Sequence, residues 1–580
     1  MLEFIQLLKQ RYQTVQAQLD KKSPHFFEYL QRMEQLLYAE AFIRKGRLIE
    51  DKPNFPLQIA VIGPTQAGKS SIVNLLLNAN LAGVSPLAGY TVLAQGFCHE
   101  LNLDDCDGMQ HYFGRFQGLT TAELSRNRYD CYAISASPTQ SNLLPSCVIW
   151  DTPDFDSIDA ADYREGVIRT LALADVIVLV VSKEKYADQS VWEVMQTLAD
   201  FAQPTLICLN KLVEGSEDLV LQSLRQKWQQ CRSDAMPPVI PMLFQKPSAL
   251  PDWPAAEQRQ LFALARQVQH KKHAQHQQQF IQSFWLQWLE PVFSEHQSQR
   301  NWQMLVDQCL EQAIAAYRRD FLDHPHHYHT FQVALLNLLD LLEIPGLANI
   351  LSKTRRVMTW PMRKLMRLGR GGFHANPDLE ITTLNQIGEH VMIQLADKLL
   401  EKTESEAENV SWWRDTAIVM RQKRTGLLQG FQQAVVTYHS GFQLDVEAAA
   451  HRLYYKLEEQ PMVLNSLRAT RLSTDAGAMI LAIHAGGIGV HDLFITPLML
   501  SVTSLLAESA IGSYMQRVEA ELKQHQLQTV KYQLFQENLR DQLYQLPQQS
   551  HSTRRFNISE QQCQQVELAL KEKKHGLRLL

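Results

Sequence analysis

The chain has 580 residues, of which 45% are apolar and 20% are charged, and its formal net charge is -5. This length allows about two to four domains with sizeable apolar cores. The slightly acidic balance argues against a protein that coats nucleic acid through overall positive charge, although it is compatible with a local basic patch. The eight cysteines are scattered without a close C-x-x-C pair, which favours neither a zinc site nor a disulfide framework.

The first 54 residues have the apolar periodicity of helices. Leu2, Ile5, Leu8 and Tyr12 recur at helical spacing, and a second apolar series follows, so residues 1–54 are predicted to form N-terminal helices. The N-terminus lacks the uninterrupted apolar core of a signal peptide, and a cytoplasmic location is therefore expected.

From residue 55 the pattern changes to short apolar runs that alternate with helical stretches. Continuous apolar runs separated by helices are typical of parallel strands that are buried on both faces. We therefore predict an α/β domain over 55–250, with a mostly parallel sheet flanked by helices. Residues 251–580 contain no such series and are predicted to form a large all-α helical region. The predicted strands are 57–63, 147–151, 175–182, 204–210 and 239–244.

A phosphate-binding loop is predicted at residues 63–71, GPTQAGKSS, which match the pattern G-x-x-x-x-G-K-[ST] between a buried strand and a helix. Gly63 and Gly68 allow the backbone to curl so that its N–H groups point at phosphate oxygens. Lys69 is expected to neutralise the β and γ phosphates, and the hydroxyl of Ser70 to ligate Mg²⁺. A glycine turn that binds nothing is the alternative, and the order of strand, loop and helix argues against it. The predicted nucleotide-binding residues of this loop are Gly63, Pro64, Thr65, Gln66, Ala67, Gly68, Lys69, Ser70 and Ser71.

Two further side chains are candidates for the metal site. Asp151 ends the predicted strand CVIWD, where an acidic partner of Mg²⁺ is expected, although an aspartate there is also compatible with a helix cap or turn. Thr91 lies in the loop SPLAGYTV, from which its hydroxyl could reach Mg²⁺ and its N–H the γ phosphate. The alternative for Thr91 is an ordinary loop threonine.

The base-reading signal is incomplete. The strand PTLICLN ends in Asn210 and Lys211, the first half of the N-K-x-D motif with which small GTPases read guanine. A buried carboxylate at the fourth position is satisfied only by a base with donors on that edge. This chain has Val213 there, followed by Glu214. We predict that Asn210 and Lys211 bind the nucleotide and that GTP is favoured over ATP.

Together these motifs resemble the translation-factor-related GTPases, and within them the bacterial dynamin-like and Era-like branch. The resemblance is specific over roughly a third of the chain, the G domain, and is only architectural over the helical remainder. It implies a GTPase with GTP and Mg²⁺ as cofactors and with G domains that form a homodimer. The segments that carry the resemblance are 67–77, 85–91, 151–157, 185–195 and 209–211.

The sequence departs from the family pattern near the γ phosphate. Asp154 replaces the glycine of D-x-x-G; its N–H remains a candidate phosphate ligand, but its carboxylate would repel the phosphate if it turned inward. Phe155 follows where a water-orienting glutamine is common. Gln66 occupies the position of a catalytic serine or asparagine in relatives, and it either orients water or a partner's loop or is plain loop structure. Gln66, Lys69 and Thr91 are the catalytic candidates, and we expect slow hydrolysis that G-domain dimerisation accelerates.

Two segments of the helical region are candidates for contact with a membrane. Residues 352–374 hold seven cations and no acid, interleaved with Trp, Met and Leu, which suits an anionic surface at ~1 kcal/mol per cation. A solvated basic face and an RNA-binding patch are the alternatives. Residues 476–507 are almost wholly apolar, yet each half would span only ~24 Å of a ~30 Å hydrocarbon core. A hairpin that dips into one leaflet and a buried core hairpin fit this segment equally well.

The sequence therefore predicts a dynamin-like GTP-binding protein whose helical region contacts the bacterial inner membrane peripherally, or a partner there. One alternative is an Era-like GTPase that acts on ribosomal RNA. The other is a scaffold that binds nucleotide with negligible hydrolysis.

Overall fold

The computed structural model describes residues 1–52, 54–83, 91–120, 128–155, 160–189, 191–193, 195, 203–232, 234–244, 253–323, 378–405, 409–462, 512–550, 552 and 555–576. They form two compact units, one of Met1–Phe293 with Thr553–Leu580 and one of Ser294–Ser552. The basic segment 352–374 and the apolar segment 476–507 lie outside the described residues. The domain boundaries at residues 54 and 250 stay predictions.

A mostly parallel sheet of eight strands forms the centre of the first unit, in the order β3-β4-β2-β5-β1-β6-β7-β8. Neighbouring strands are parallel except for β2 and β5, which are antiparallel. The predicted α/β fold is confirmed, and the five predicted strands correspond to β1 and β5 to β8. The strands are β1 Leu57–Ile62, β2 Ala94–His99, β3 Gln117–Leu119, β4 Cys131–Ala136, β5 Cys147–Asp151, β6 Val176–Ser182, β7 Thr205–Leu212 and β8 Val239–Leu243.

Helices make up most of the remaining described residues. The helices that lie wholly in the first unit are α1 Leu2–Gln16, α2 Pro24–Asp51, α3 Lys69–Leu77, α4 Met109–Phe113, α5 Ala160–Leu173, α6 Glu217–Cys231, α7 Gln260–Ala265 and α13 Glu560–Gly576. Helix α8, His273–Tyr317, begins in the first unit and ends in the second. The second unit also contains α9 Asp378–Ser405, α10 Val410–Glu458, α11 Gly512–Thr529, a π-helical stretch Val530–Arg540 and α12 Asp541–Gln545. In the described part of the chain, no helix combines the length and apolar composition that a bilayer crossing requires.

The sheet is buried on both faces, which explains why its central strands read as uninterrupted apolar runs. Successive residues of a strand point to opposite faces. Ala60 and Ile62 of β1 accordingly join a core with residues of α1, α2, α5 and α6. Ile59 and Val61 join a second core with residues of α3 and α7.

The N-terminal helices are fastened to the sheet by a buried ion pair. Lys45 of α2 donates from Nζ to Oδ1 of Asp175, directly before β6, at 2.6 Å, and both side chains are about 5% exposed. His270 lies 3.2 Å from the other oxygen of this carboxyl. Burial raises the pKa of Asp175, but the charge of Lys45 and the nearby ring of His270 outweigh this effect and lower the pKa to about 2. Asp175 is therefore ionised at neutral pH.

A buried carboxylate links the helices of the second unit. Glu380 of α9 accepts hydrogen bonds from the hydroxyls of Tyr317 and Tyr438 at 2.6 and 2.9 Å. It also accepts one from the amide of Gln526 at 2.9 Å, and Nδ1 of His439 lies 2.8 Å from its second oxygen. These partners belong to α8, α10 and α11, so a single side chain joins four helices.

Replacing Glu380 by alanine should strongly destabilise the second unit, because two tyrosine hydroxyls and an amide would be buried without their acceptor. We expect a loss of ~3–5 kcal/mol in the free energy of unfolding, measured by urea unfolding and circular dichroism. Glu389→Ala is the matched control, since Glu389 is an exposed glutamate of the same helix. Equal stability of the two variants would contradict the assignment of Glu380 as the link.

This contribution should also depend on pH. Burial raises the pKa of Glu380, but hydrogen bonds from His439, Tyr317 and Gln526 together with the charge of His439 lower it below the ordinary value. Because the folded-state pKa is lowered, the stabilisation is complete at neutral pH and is lost as the pH falls through that lowered value.

Candidate nucleotide-binding site

The loop between β1 and α3 is the centre of the predicted site. Gly68, which precedes Lys69 at the start of α3, has φ +97°, a left-handed conformation that glycine adopts without steric cost. A Cβ at Gly68 would lie 2.5 Å from the amide nitrogen of Asn210, and one at Gly63 would overlap the carbonyl oxygen of Val180. The close packing of the loop against β6 and β7 therefore requires glycine at both positions.

The ammonium group of Lys69 lies within the curve of this loop. Its Nζ donates to the carbonyl oxygens of Gly63 at 3.1 Å and Pro64 at 3.3 Å, and it forms an ion pair with the carboxylate of Asp154. The Lys69 side chain is 5% exposed. The cation is thus held by oxygen atoms at the end of α3 where the helix dipole is positive, a position suited to an anion.

A hydroxyl and a carboxylate meet beside this ammonium group. Asp151, the last residue of β5, is fully buried, and its Oδ2 accepts a hydrogen bond from Oγ of Ser70 at 2.7 Å. Its Oδ1 is buried too and has no hydrogen-bond partner among the described residues. A buried carboxylate oxygen without a partner is unfavourable, and a hydroxyl with a carboxylate provides the oxygen ligands that Mg²⁺ prefers. Ser70 and Asp151 therefore fit the predicted metal.

The remaining metal ligands would have to come from phosphate oxygens and water. Within the described ranges, no group of three or more His, Cys, Asp or Glu side chains is arranged to hold a metal ion. Mg²⁺ commonly binds through one or two protein oxygens together with substrate phosphates, so this composition is the expected one for a nucleotide site.

The electrostatic environment of Asp151 is set by burial. Burial raises the pKa of Asp151 to about 6. The hydrogen bond from Ser70 and the charge of Lys69 lower this pKa, but the effect of burial is larger. The carboxylate of Asp154 raises the pKa, and the hydroxyl of Thr91 is close enough to lower it. Thr91 is itself buried. Thr91 thus lies near the carboxyl group of Asp151, its role toward Mg²⁺ and the γ phosphate stays a prediction, and residues 84–90 lie outside the described residues.

Asn210 and Lys211 support the loop from β7. The amide nitrogen of Asn210 donates to the carbonyl oxygen of Ala67 at 2.9 Å, and Nζ of Lys211 donates to that of Gln66 at 2.6 Å. Gln66 and Lys211 both have positive φ, at 60° and 59°. The two residues of the N-K pair therefore fix the backbone that would surround the phosphates. The catalytic role of the Gln66 side chain stays a prediction.

The position of the missing base-reading aspartate is at the surface. Val213 is 53% exposed and begins a turn in which its N–H and carbonyl both bond to the hydroxyl of Ser216, at 3.1 and 2.6 Å. Glu214, the next residue, is exposed. The N-K-x-D motif therefore ends in an apolar side chain beside solvent, and no carboxylate of the motif itself is available to a base.

Asn74 supports the site but was not predicted from the sequence. The buried side chain of Asn74 in α3 donates to the carbonyl oxygen of Ala82 at 2.8 Å and accepts from the N–H groups of Leu81 and Ala82 at 2.9 and 2.7 Å. It fixes Leu81 and Ala82, shortly after the end of α3. The sequence signal that could have identified Asn74 is its polar side chain within the otherwise apolar helical run of KSSIVNLLL.

The predicted site residues gather at the carboxyl ends of β1, β5 and β7. Loop 63–71 follows β1, Asp151 ends β5 with Asp154 three residues later, and Asn210 and Lys211 lie in the last part of β7. Ligands of open α/β sheets bind at this edge. Strand, glycine turn and helix in this arrangement define a P-loop nucleotide-binding domain.

Comparison with known proteins places this domain among the GTPases. Residues 58–211 match the family model described as 50S ribosome-binding GTPase. The sheet and phosphate loop of the first unit are therefore similar to a P-loop GTPase domain. Among proteins of curated function, none matches the sequence significantly.

Solved structures with similarity over nearly the whole chain are also known. Two of them are of an oligomerised bacterial dynamin pair described as providing a mechanism for the long-range sensing and tethering of membranes. One has 10% sequence identity and a TM-score of 0.31, with 95% of this chain and 98% of the other covered. The second has 10% identity and a TM-score of 0.33, with coverage of 95% and 97%. Similarity at this level does not show a shared function.

Proposed function

We propose that this protein is a dynamin-like GTPase that binds GTP with Mg²⁺, hydrolyses it slowly, and transmits the nucleotide state to a helical region that contacts a membrane or a partner. The observation that carries the nucleotide part is the junction of Lys69, Ser70 and Asp151 at the start of α3. An ammonium group, a hydroxyl and a carboxylate oxygen without a partner are the groups that a magnesium-bound triphosphate requires.

Each group has a separate task in binding. The N–H groups of loop 63–71 would surround the β phosphate, and Lys69 would neutralise charge on the β and γ phosphates. Ser70 would ligate Mg²⁺ directly, and Asp151 would accept a hydrogen bond from a metal ligand or bind the ion through Oδ1. When bound, Mg²⁺ neutralises charge on the phosphate oxygens and orients them for displacement. Thr91 would offer its hydroxyl to the same ion and its N–H to the γ phosphate.

Replacing Asp151 by asparagine should weaken Mg²⁺-dependent GTP binding while leaving Mg²⁺-independent binding nearly unchanged. We expect a rise of about tenfold or more in the Mg²⁺ concentration that half-saturates the effect, because an amide oxygen attracts the cation less than a carboxylate. Titration of Mg²⁺ at fixed GTP, followed by fluorescence of a labelled nucleotide, measures it. Asp107→Asn is the control, since Asp107 is an exposed carboxylate of the same unit. Identical Mg²⁺ dependence in all three proteins would remove Asp151 from the metal site.

Hydrolysis should be slow in the isolated chain. Phe155 occupies the position of a water-orienting glutamine, and Gln66 is an amide side chain within the phosphate loop itself. We propose that contact between two G domains supplies what is missing. The rate of phosphate release per chain should then rise with protein concentration, and a constant rate would contradict dimer-stimulated hydrolysis. A complete lack of turnover in the wild type would favour the nucleotide-binding scaffold instead.

The membrane part of the proposal depends on the sequence of 352–374 and 476–507. Cations interleaved with large apolar residues are typical of peripheral binding to anionic lipid at the cytoplasmic face of the inner membrane. Co-sedimentation with vesicles that contain anionic lipid, compared with neutral vesicles, tests it directly. Sedimentation that requires neither anionic lipid nor residues 352–374 would contradict the proposal.

A ribosome-directed GTPase is the second candidate, and the description of the family model, 50S ribosome-binding GTPase, favours it. On this alternative the basic segment 352–374 binds ribosomal RNA. Binding would then weaken steeply with salt, because phosphate contacts release counterions. An RNA gel shift run beside the vesicle assay separates the two candidates.

A further inference from the structure

The phosphate-binding lysine already has an anionic partner within the chain. Asp154 is 7% exposed, and its Oδ1 forms an ion pair with Nζ of Lys69. The side chain alone is 11% exposed for Asp154 and 5% exposed for Lys69, so water screens the ion pair weakly. The carboxylate therefore occupies a coordination position on the ammonium group that a terminal phosphate would otherwise take.

The backbone on both sides of Asp154 is held in place. Two residues earlier, Thr152 is fully buried and its hydroxyl donates to the carbonyl oxygen of Val61 at 2.9 Å. The next residue, Phe155, is buried in the core between the sheet and the N-terminal helices. Pro153 has a fixed φ between these two anchors. The carboxylate is thus presented to Lys69 by a segment that is anchored at both ends.

We propose that Asp154 is a specificity-determining residue that competes with the γ phosphate for Lys69 and so favours GDP over GTP. This inference rests on the proposed nucleotide site and adds a residue that discriminates between its two ligands. A diphosphate leaves the ion pair intact, because it brings no third phosphate to the ammonium group. A triphosphate brings further negative charge close to a buried carboxylate, and like charges in a poorly solvated site repel each other strongly.

The competition gives Asp154 a role that glycine cannot have. With a triphosphate bound, either the carboxylate leaves Lys69 or the γ phosphate binds beside a like charge, and both choices weaken GTP binding relative to GDP. Removing the charge should therefore strengthen triphosphate binding selectively. The isosteric change Asp154→Asn removes it with little change of shape, and Asp154→Gly also restores the residue of the D-x-x-G pattern.

The test compares the affinities of the full chain for GDP and for the non-hydrolysable GTP analogue GMPPNP, both fluorescently labelled and both measured with Mg²⁺. We expect Asp154→Asn and Asp154→Gly to raise the preference for GMPPNP over GDP by about tenfold or more. Asp107→Asn, the same exchange at an exposed position, should keep the wild-type ratio within about twofold. In thermal melts, GMPPNP should raise the Tm of Asp154→Asn more than that of the wild type.

The possible results separate the competition by Asp154 from the existence of the nucleotide site. If the wild type binds both nucleotides and neither Asp154 variant increases the preference for GMPPNP, the competition is wrong and the nucleotide site stands. If no protein, wild type or variant, binds either nucleotide, the inference and the proposed function both fail. Binding of GMPPNP by the variants alone would support the competition in its strongest form.

Discussion

Replacing Lys69 by alanine is expected to weaken GTP binding about 100-fold or more, because the triphosphate would lose the only buried ammonium group placed within the described phosphate loop. The loop oxygens of Gly63 and Pro64 would remain, but they repel phosphate and cannot replace the cation. Equilibrium binding of a fluorescent GTP analogue measures the loss. Turnover should disappear with binding.

The loss must be separated from unfolding, since Lys69→Ala also leaves the buried carboxylate of Asp154 without its cation. Circular dichroism and thermal melting of the variant show whether the fold is retained, and the double variant with Asp154→Asn removes the charge of that carboxylate. Lys22→Ala, at an exposed lysine of the same unit, is the control for the loss of one positive charge. A folded Lys69→Ala protein with wild-type affinity for GTP would contradict the site.

Introducing aspartate at position 213 is expected to sharpen the choice of base. The carboxylate would complete N-K-x-D after Asn210 and Lys211, and it would accept two hydrogen bonds from guanine, whereas adenine offers no matching pair of donors. We predict that Val213→Asp raises the preference for GTP over ATP by about 10- to 100-fold. Competition of GTP and ATP against one labelled nucleotide measures the ratio.

The surface position of Val213 makes this a mild structural change. Its side chain is 53% exposed, so an aspartate there is not buried, and the turn with Ser216 uses main-chain groups of residue 213. Val213→Asn is the matched control, because an amide of the same size lacks the second acceptor oxygen and the charge. An equal gain from both substitutions, or none from aspartate, would show that the base is not read from this position.

The sequence predicted the central strands because each is buried on both faces and is therefore a continuous apolar run. Strands β2, β3 and β4 were missed, and for β2 and β3 the structure shows a physical reason. β3 has three residues, and β2 contains Gly96, where a Cβ would come within 3.0 Å of Trp150. Short or glycine-containing strands do not give the apolar run that marks a buried strand. The antiparallel direction of β2 likewise has no local sequence signal.

The N-terminal helices were predicted as helices, but their attachment to the sheet was not. The ion pair of Lys45 with Asp175 joins residues 130 positions apart. Nothing in the helical periodicity indicates which face meets the sheet. Similarly, Phe556 and Cys563 of the C-terminal segment belong to the core that α1 and α2 form with the sheet. Contacts between residues so distant along the chain follow from the assembled fold.

The phosphate loop could be read from sequence because its groups are contiguous, and the strand before it and helix after it fix their geometry. The pair of Lys69 with Asp154 could not, since 85 positions separate them. The sequence showed only that an aspartate replaces glycine and that an inward carboxylate would oppose phosphate. Burial and the anchoring of Thr152 and Phe155 determine that it faces the lysine.

The most direct test of the account is the binding of radiolabelled GTP to the full chain by equilibrium dialysis with Mg²⁺. We predict saturation at about one GTP per chain, competition by unlabelled GDP, and loss of binding on Lys69→Ala. Absence of saturable binding by the folded wild-type protein, or binding that persists unchanged without the Lys69 ammonium group, would contradict the assignment of residues 63–71 as a nucleotide site.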